Sequence, residues 1–256
     1  ENHPDYISGL ESLGTIYLDQ GIFDTAEVLF LKAIEIRVKV YGKENLDFTV
    51  YNNNLGLLYQ QVGNFKKAET IYLESKIILE KILEKEHPSN GEALAYLANL
   101  YVEMGDYVKA ELYYLQAQEI FLKSFGKNHM DYLNATFGLT DLFLKTGKFN
   151  EAKKYAQEFG LLQREMFIKT SNYLSEQELN LYINEFNQKL NLNYLIAEND
   201  PDFGGFCYDN ILFYKGYMLQ AINEIKRLTK VDSNLKESFL QYKSFQRRLG
   251  IEYSKP

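Results

Sequence analysis

The sequence repeats itself at a fixed interval of 42 residues, four times and without insertions: "LGTIYLDQGIFDTAE", "LGLLYQQVGNFKKAE", "LANLYVEMGDYVKAE" and "LTDLFLKTGKFNEAK" begin at Leu13, Leu55, Leu97 and Leu139. Within each copy a leucine is followed by a small residue (Gly14, Gly56, Ala98, Thr140) and then an aromatic (Tyr17, Tyr59, Tyr101, Phe143). A glycine comes next (Gly21, Gly63, Gly105, Gly147), and an alanine five residues later (Ala26, Ala68, Ala110, Ala152). Residues three and four apart share one helix face, and small residues there let a second helix approach closely. Each copy therefore reads as a helical hairpin whose glycine ends the first helix in a left-handed turn. One such hairpin cannot bury its apolar face alone, so the copies have to stack into a solenoid.

The expected fold is thus all-α, with four hairpins over residues 1–170. The fourth copy is the most divergent, with Thr140 at the small position and Phe159 where Ala33 and Ala117 stand, which suggests a splayed or capping hairpin. Beyond it the period is lost and three longer helical patterns follow, over residues 171–256. "LSEQELNLYINEF" opens with Ser175 and Glu178 spaced as a capping box. The others run from about Tyr208 to Thr229 and from Ser233 to Tyr253, and "ENDPDFGG" ahead of them reads as a loop.

The repeated motif resembles the tetratricopeptide repeat, and the 42-residue period with "NNLGLLYQQVGNFKKAE" is similar to the kinesin light chain subtype. The resemblance implies a right-handed superhelical solenoid with a concave binding wall and a C-terminal helical extension. The tail, "YDNILFYKGYMLQAINEIKRL" followed by "LKESFLQYKSFQRRLGIEYSKP", is similar to the connector of TPR-CHAT proteins. There a kinesin-light-chain-like array leads into a caspase-like cysteine peptidase domain, and some members partner RNA-guided CRISPR effectors. That likeness implies a recognition and regulatory arm, with residues 171–256 leading to a domain outside this chain. A free-standing adaptor for peptide or protein partners is the alternative. The opening "ENHPDY" lacks a Met, as expected of a piece of a longer protein.

Catalytic chemistry finds little support in the residues. Cys207 is the single cysteine, and no histidine follows residue 129 to activate it. A hydrolase built on Cys207 is accordingly the minor reading, and no catalytic residue is expected in this chain. The three histidines fall at 3, 87 and 129, with Asn45 in the missing phase. Equivalent positions of stacked hairpins lie roughly 10 Å apart, too far to share a metal, so they read as turn residues ahead of each first helix. No Walker loop, Rossmann fingerprint or CxxC occurs, and neither cofactor nor metal is expected.

The formal charge of -7 is uneven: residues 206–256 carry nine Lys/Arg against five Asp/Glu, and the preceding 205 carry nineteen against thirty. An acidic body argues against direct nucleic-acid binding. No apolar run is long enough for a membrane helix and no signal peptide is recognisable, which reads as a cytoplasmic protein.

In the resembled family the concave wall is formed by the first helices, on the face away from the core stripe. Here that face carries Ser8, Glu11, Thr15, Leu18 and Asp19, then Val50, Asn53, Leu57, Gln60 and Gln61. It continues with Glu92, Ala95, Asn99, Val102 and Glu103, then Asn134, Phe137, Asp141, Leu144 and Lys145. Five carboxylates against one lysine make the wall acidic, and Asn53, Asn99 and Asn134 offer amides to an extended chain. A basic or neutral polar protein segment is the expected partner. The lysine-rich clamp of chaperone-binding relatives is absent.

Overall fold

The computed structural model describes residues 3–171 and 191–216. Every regular element among them is helical. The helices are α1 (Pro4–Asp19), α2 (Phe23–Tyr41), α3 (Leu46–Gln61), α4 (Phe65–Ile82), α5 (Pro88–Met104), α6 (Tyr107–Phe125), α7 (Met130–Lys145) and α8 (Phe149–Ser171). After α9 (Asn191–Asn199) and a single 3-10 turn (Pro201–Phe203) comes α10, helical over residues 204–216. The chain divides into two compact units, Glu1–Lys169 and Thr170–Pro256.

Each first helix begins on a side-chain cap. His3, His87 and His129 accept the backbone N–H of Asp5, Ser89 and Asp131 through Nδ1, at 3.2–3.3 Å. Asn45 caps α3 by accepting the Phe48 N–H at 2.8 Å. The histidines thus satisfy backbone donors that a helix start leaves unpaired.

Each first helix ends on a glycine with φ between +71° and +78°, at 21, 63, 105 and 147. The residue after that glycine donates back to the carbonyl of the motif aromatic: Ile22 to Tyr17, Asn64 to Tyr59, Asp106 to Tyr101 and Lys148 to Phe143, at 2.8–2.9 Å. This is the six-to-one bond of a Schellman turn. A Cβ on Gly63 would touch nothing within 4 Å, so substitution there costs backbone strain alone. Gly63→Val is expected to destabilise the array by about 1–3 kcal/mol, read as a lower midpoint in thermal or urea unfolding. Gly63→Asn should lose less, and an unchanged midpoint for Val would refute the turn's role.

The small position packs as expected. A Cβ at Gly14 would lie 2.7 Å from the Phe30 ring, and one at Gly56 would press into the ring of Tyr72, which is fully buried. Successive hairpins are joined by the motif tyrosine. Tyr59 Oη donates to Glu27 at 2.5 Å and Tyr101 Oη to Glu69 at 2.6 Å, with Lys67 and Lys109 lying over the two rings. Burial, followed by the Glu27 contact, pushes the Tyr59 phenol up to about 12. The fourth copy has Phe143 instead, and Glu111 turns to Lys148 at 2.7 Å.

Two expectations need correction. The fourth hairpin is not splayed: Thr140 is buried and donates to the Thr136 carbonyl, and the Phe159 ring lies 5.4 Å from that of Phe137. The "ENDPDFGG" stretch is also less loop-like than its composition suggests, since Gly204 has helical φ and ψ of -57° and -35° and α10 begins there, not at Tyr208. The Ser175–Glu178 capping box, the end of the 208–229 helix and the 233–253 helix lie outside the described residues.

Candidate functional site

Among the first helices, α1 touches α3, α3 touches α5 and α5 touches α7, so they line one continuous face. Side chains 43 residues apart meet across it. In the first half this register engages the polar residues with one another. Asn54 donates to Glu11 at 2.8 Å, and Arg37 donates to Asp47 at 2.6 Å and to Tyr51 Oη at 3.1 Å. Burial raises the Glu11 pKa, partly offset by Tyr51, Arg37 and Asn54. Thr15 is exposed but donates to the Glu11 carbonyl of its own helix.

Asn53 and Gln60 depart from the expectation that they face an open groove. Asn53 is buried. Gln60 is buried too, donating to Glu103 at 2.6 Å while accepting from Tyr72 Oη at 3.2 Å. Its amide joins two hairpins, and Glu103 is held by the same bond. The helical wheel assigns both residues to the inner face, but the close approach of α3 to its neighbours encloses them.

In the second half the face opens. A cavity of about 470 Å³ lies between α5, α6 and α7, and Glu92, Asn99, Asn134 and Asp141 all line it, together with Ala95 and Phe137. Tyr96, Tyr114, Phe121 and Asp131 complete the wall. Asp141 pairs with Lys145 at 2.6 Å. Neither Glu92 nor Asp131 has a lysine or arginine partner among the described residues; Asp131 lies 3.3 Å from His129 Nδ1. Glu92 is solvent-accessible, yet its place in the concavity desolvates it, and with Asp131 nearby its pKa is raised, His87 opposing. The Tyr96 phenol is raised by burial and then by the charges of Glu92 and Asp131. Tyr114, its Oη hydrogen-bonded to Asn99 Oδ1, is raised by burial and by Asp141 and Glu103. Carboxylates without a lysine or arginine partner, beside aromatic faces in a half-enclosed space, favour a cation.

Asp131, Tyr96 and Tyr114 were not legible as site residues. Asp131 belongs to the "HMDY" cap motif, which places it before the groove-facing turns of the helix. Tyr114 comes from a second helix, and it reaches the wall because residue 138 is glycine: a Cβ there would sit 2.5 Å from its ring.

Cys207 lies in the other unit, buried, with its thiol 3.4 Å from the Asn193 carbonyl oxygen, to which it donates. Burial pushes the thiol pKa up, opposite to what an attacking thiolate needs. Cys207→Ser is expected to leave the fold unchanged. Turnover of a peptide library by the wild-type chain that vanishes in this variant would contradict that reading. Among the described residues no group of three or more His, Cys, Asp or Glu side chains could hold a metal, and no helix is long and apolar enough to cross a membrane.

Tetratricopeptide-repeat models match residues 8–47, 46–123 and 95–158. BtubC (BKLC) from P. vanneervenii is similar in structure, with a TM-score of 0.65 at 20% identity over 85% of this chain and 81% of that one. A kinesin-light-chain-type array of nearly identical TPR-like repeats from Podosopora anserina gives 0.59 at 19% identity, over 86% and 98%. The Rap protein complexed with Competence and Sporulation Factor gives 0.53 at 18%, over 84% and 65%. No curated protein matches the sequence.

Proposed function

This chain belongs to the tetratricopeptide-repeat family, and we propose that it is a protein-interaction scaffold whose first-helix face takes a basic or neutral polar segment of a partner protein. The observation that carries this reading is the cavity between α5, α6 and α7, where among the described residues Glu92 and Asp131 have no lysine or arginine partner and lie beside Tyr96 and Tyr114. An array of similar fold, Rap, is known in complex with Competence and Sporulation Factor. Asn134 offers its amide to an extended backbone on the same wall, and Asp141 of that wall is paired to Lys145.

The test is fluorescence anisotropy with labelled decapeptides of one Gly/Ser framework carrying arginines, asparagines or glutamates. The arginine peptide should bind at least tenfold tighter than the glutamate one at low salt, with the difference shrinking as salt rises. Equal affinities would remove the reading.

The likeness of the tail to the TPR-CHAT connector supports a finer proposal, that the scaffold is the recognition and regulatory arm of a caspase-like cysteine peptidase. Most of that connector lies outside the described residues. A purified CHAT-type peptidase domain should change its cleavage rate when the chain is added. An unaltered rate with no association would leave the free-standing adaptor.

A further inference from the structure

A second kind of cavity recurs on the opposite side of the hairpins, between successive second helices. One of about 510 Å³ lies between α2 and α4, with α3 beneath it. Another, of about 630 Å³, lies between α4 and α6, with α5 beneath it. The two are the same place one repeat apart, and comparing equivalent positions shows what the second lacks.

At the first junction Phe48 is 1% exposed and Lys43 pairs with Glu74 at 2.8 Å. At the third, the corresponding Tyr132 is buried and donates to Glu158 at 2.8 Å, and Lys127 pairs with the same carboxylate at 2.6 Å. An aromatic ring and a lysine–glutamate pair thus stand at both flanking junctions, although at the first they line a cavity and do not close it. At the middle junction the ring's position holds Asn90 and the glutamate's position holds Gln116. Lys85 consequently has no carboxylate within 4 Å among the described residues.

Asn90 is 5% exposed. Its amide nitrogen turns back to the carbonyls of Glu84 and Lys85, at 2.9 and 3.4 Å, while its Oδ1 is buried without a hydrogen-bond partner. An unpaired buried acceptor is costly, and it is relieved when a donor arrives. The rim charges nearest the opening neutralise one another, Lys76 with Glu80 at 2.6 Å and Lys123 with Glu119 at 2.8 Å. Glu86 also lines the opening and Glu119 feels the charge of Lys85, but Lys85 is the one cation of the lining with no ion pair within 4 Å among the described residues. Leu94, Tyr113 and Ile120 supply a partly apolar floor.

We propose that the cavity between α4 and α6 receives a tyrosine-bearing acidic segment of a partner protein. The ring takes the place that Phe48 and Tyr132 fill at the flanking junctions, a donor of the segment reaches Asn90 Oδ1, and a carboxylate pairs with Lys85. The segment supplies in trans what Tyr132 and Glu158 supply in cis one repeat later. This site is independent of the first-helix face, and either can fail without the other.

The experiment uses the full chain and two probes, N-acetyl-tyrosyl-glutamate amide and N-acetyl-tyrosyl-lysine amide, titrated at millimolar concentration and followed by NMR. The glutamate probe should give saturable shifts at Asn90, Tyr113 and Ile120 and bind at least fivefold tighter than the lysine probe. The combined substitution Asn90→Tyr and Gln116→Glu, which installs the flanking pattern, should abolish those shifts and raise the unfolding midpoint. Glu92→Lys, on the other face, should leave them unchanged. Absent shifts, equal binding of the two probes, or shifts that survive the double substitution would overturn the proposal. If the double variant does not fold by circular dichroism, Lys85→Glu decides: it must invert the preference between the probes, and failure to do so overturns the assignment.

Discussion

Replacing Glu92 by lysine and Asp131 by asparagine together is expected to weaken an arginine-bearing peptide at least tenfold, about 1.4 kcal/mol, without loss of helix content. Single exposed charges contribute roughly 0.2–1 kcal/mol, so one substitution alone is a weak test. These two carboxylates share a half-enclosed cavity and lack lysine or arginine partners, so their effects should reinforce each other. Glu35→Lys, exposed on the second helix α2, is the control for long-range charge, and it should change affinity less than twofold. A loss as large as that of the cavity variant would mean that overall acidity, and not the site, attracts the peptide. Binding should also depend on pH in a defined sense. Burial and Asp131 hold the Glu92 pKa above the usual carboxylate value, and a bound cation favours the ionised form. Affinity is therefore full above that raised pKa and falls as pH drops through it. An affinity that rises on acidification would contradict the assignment.

The largest stability effect is expected at Gly56. A Cβ there would overlap the ring of Tyr72, which is fully buried and stacked on Tyr96 at a centroid distance of 5.3 Å. The ring has no free space to enter, so Gly56→Val forces the two helices of the hairpin apart. Overpacking of this kind costs about 1–3 kcal/mol, and the β-branched side chain adds a few tenths in a helix. An unfolding midpoint lower by roughly 5–10 °C is expected for a unit of this size. Gly9 is the contrast: it is also helical, but a Cβ there meets nothing within 4 Å, and Gly9→Ala should stabilise by about 0.5–1 kcal/mol. Tyr72→Ala and Gly56→Val should be non-additive, the double variant losing less than the sum of the two single losses, because the two changes share one contact. If Gly56→Val and Gly9→Ala shift the midpoint alike, the close approach of α3 and α4 is not what selects glycine.

The two halves of the candidate face show where reading the sequence stops. Local rules are enough to locate the helices: the left-handed glycines, the histidine and asparagine caps and the 3.6-residue stripe act within a few residues of themselves, and the 42-residue period carries them along the chain. The helical wheel likewise selects the inner face, since residues such as Glu92, Asn99, Asn134 and Asp141 do converge on one cavity. What the wheel cannot supply is the distance between neighbouring helices. Asn53 occupies the same repeat position as Ala95 and Phe137 of the open cavity, yet α3 packs closely enough to bury it, and to bury Gln60 and bond it to Glu103. Tyr114 enters the wall from a second helix only because Gly138 leaves room for its ring. The meaning of Asn90 and Gln116 is also tertiary. Each is an unremarkable polar residue in its own helix, and the ring and carboxylate they replace act across helices from different hairpins. Helix formation and capping are settled by near neighbours along the chain; cavity depth and the pairing of charges depend on side chains from residues 24 to 43 positions apart, which meet only once the hairpins have stacked.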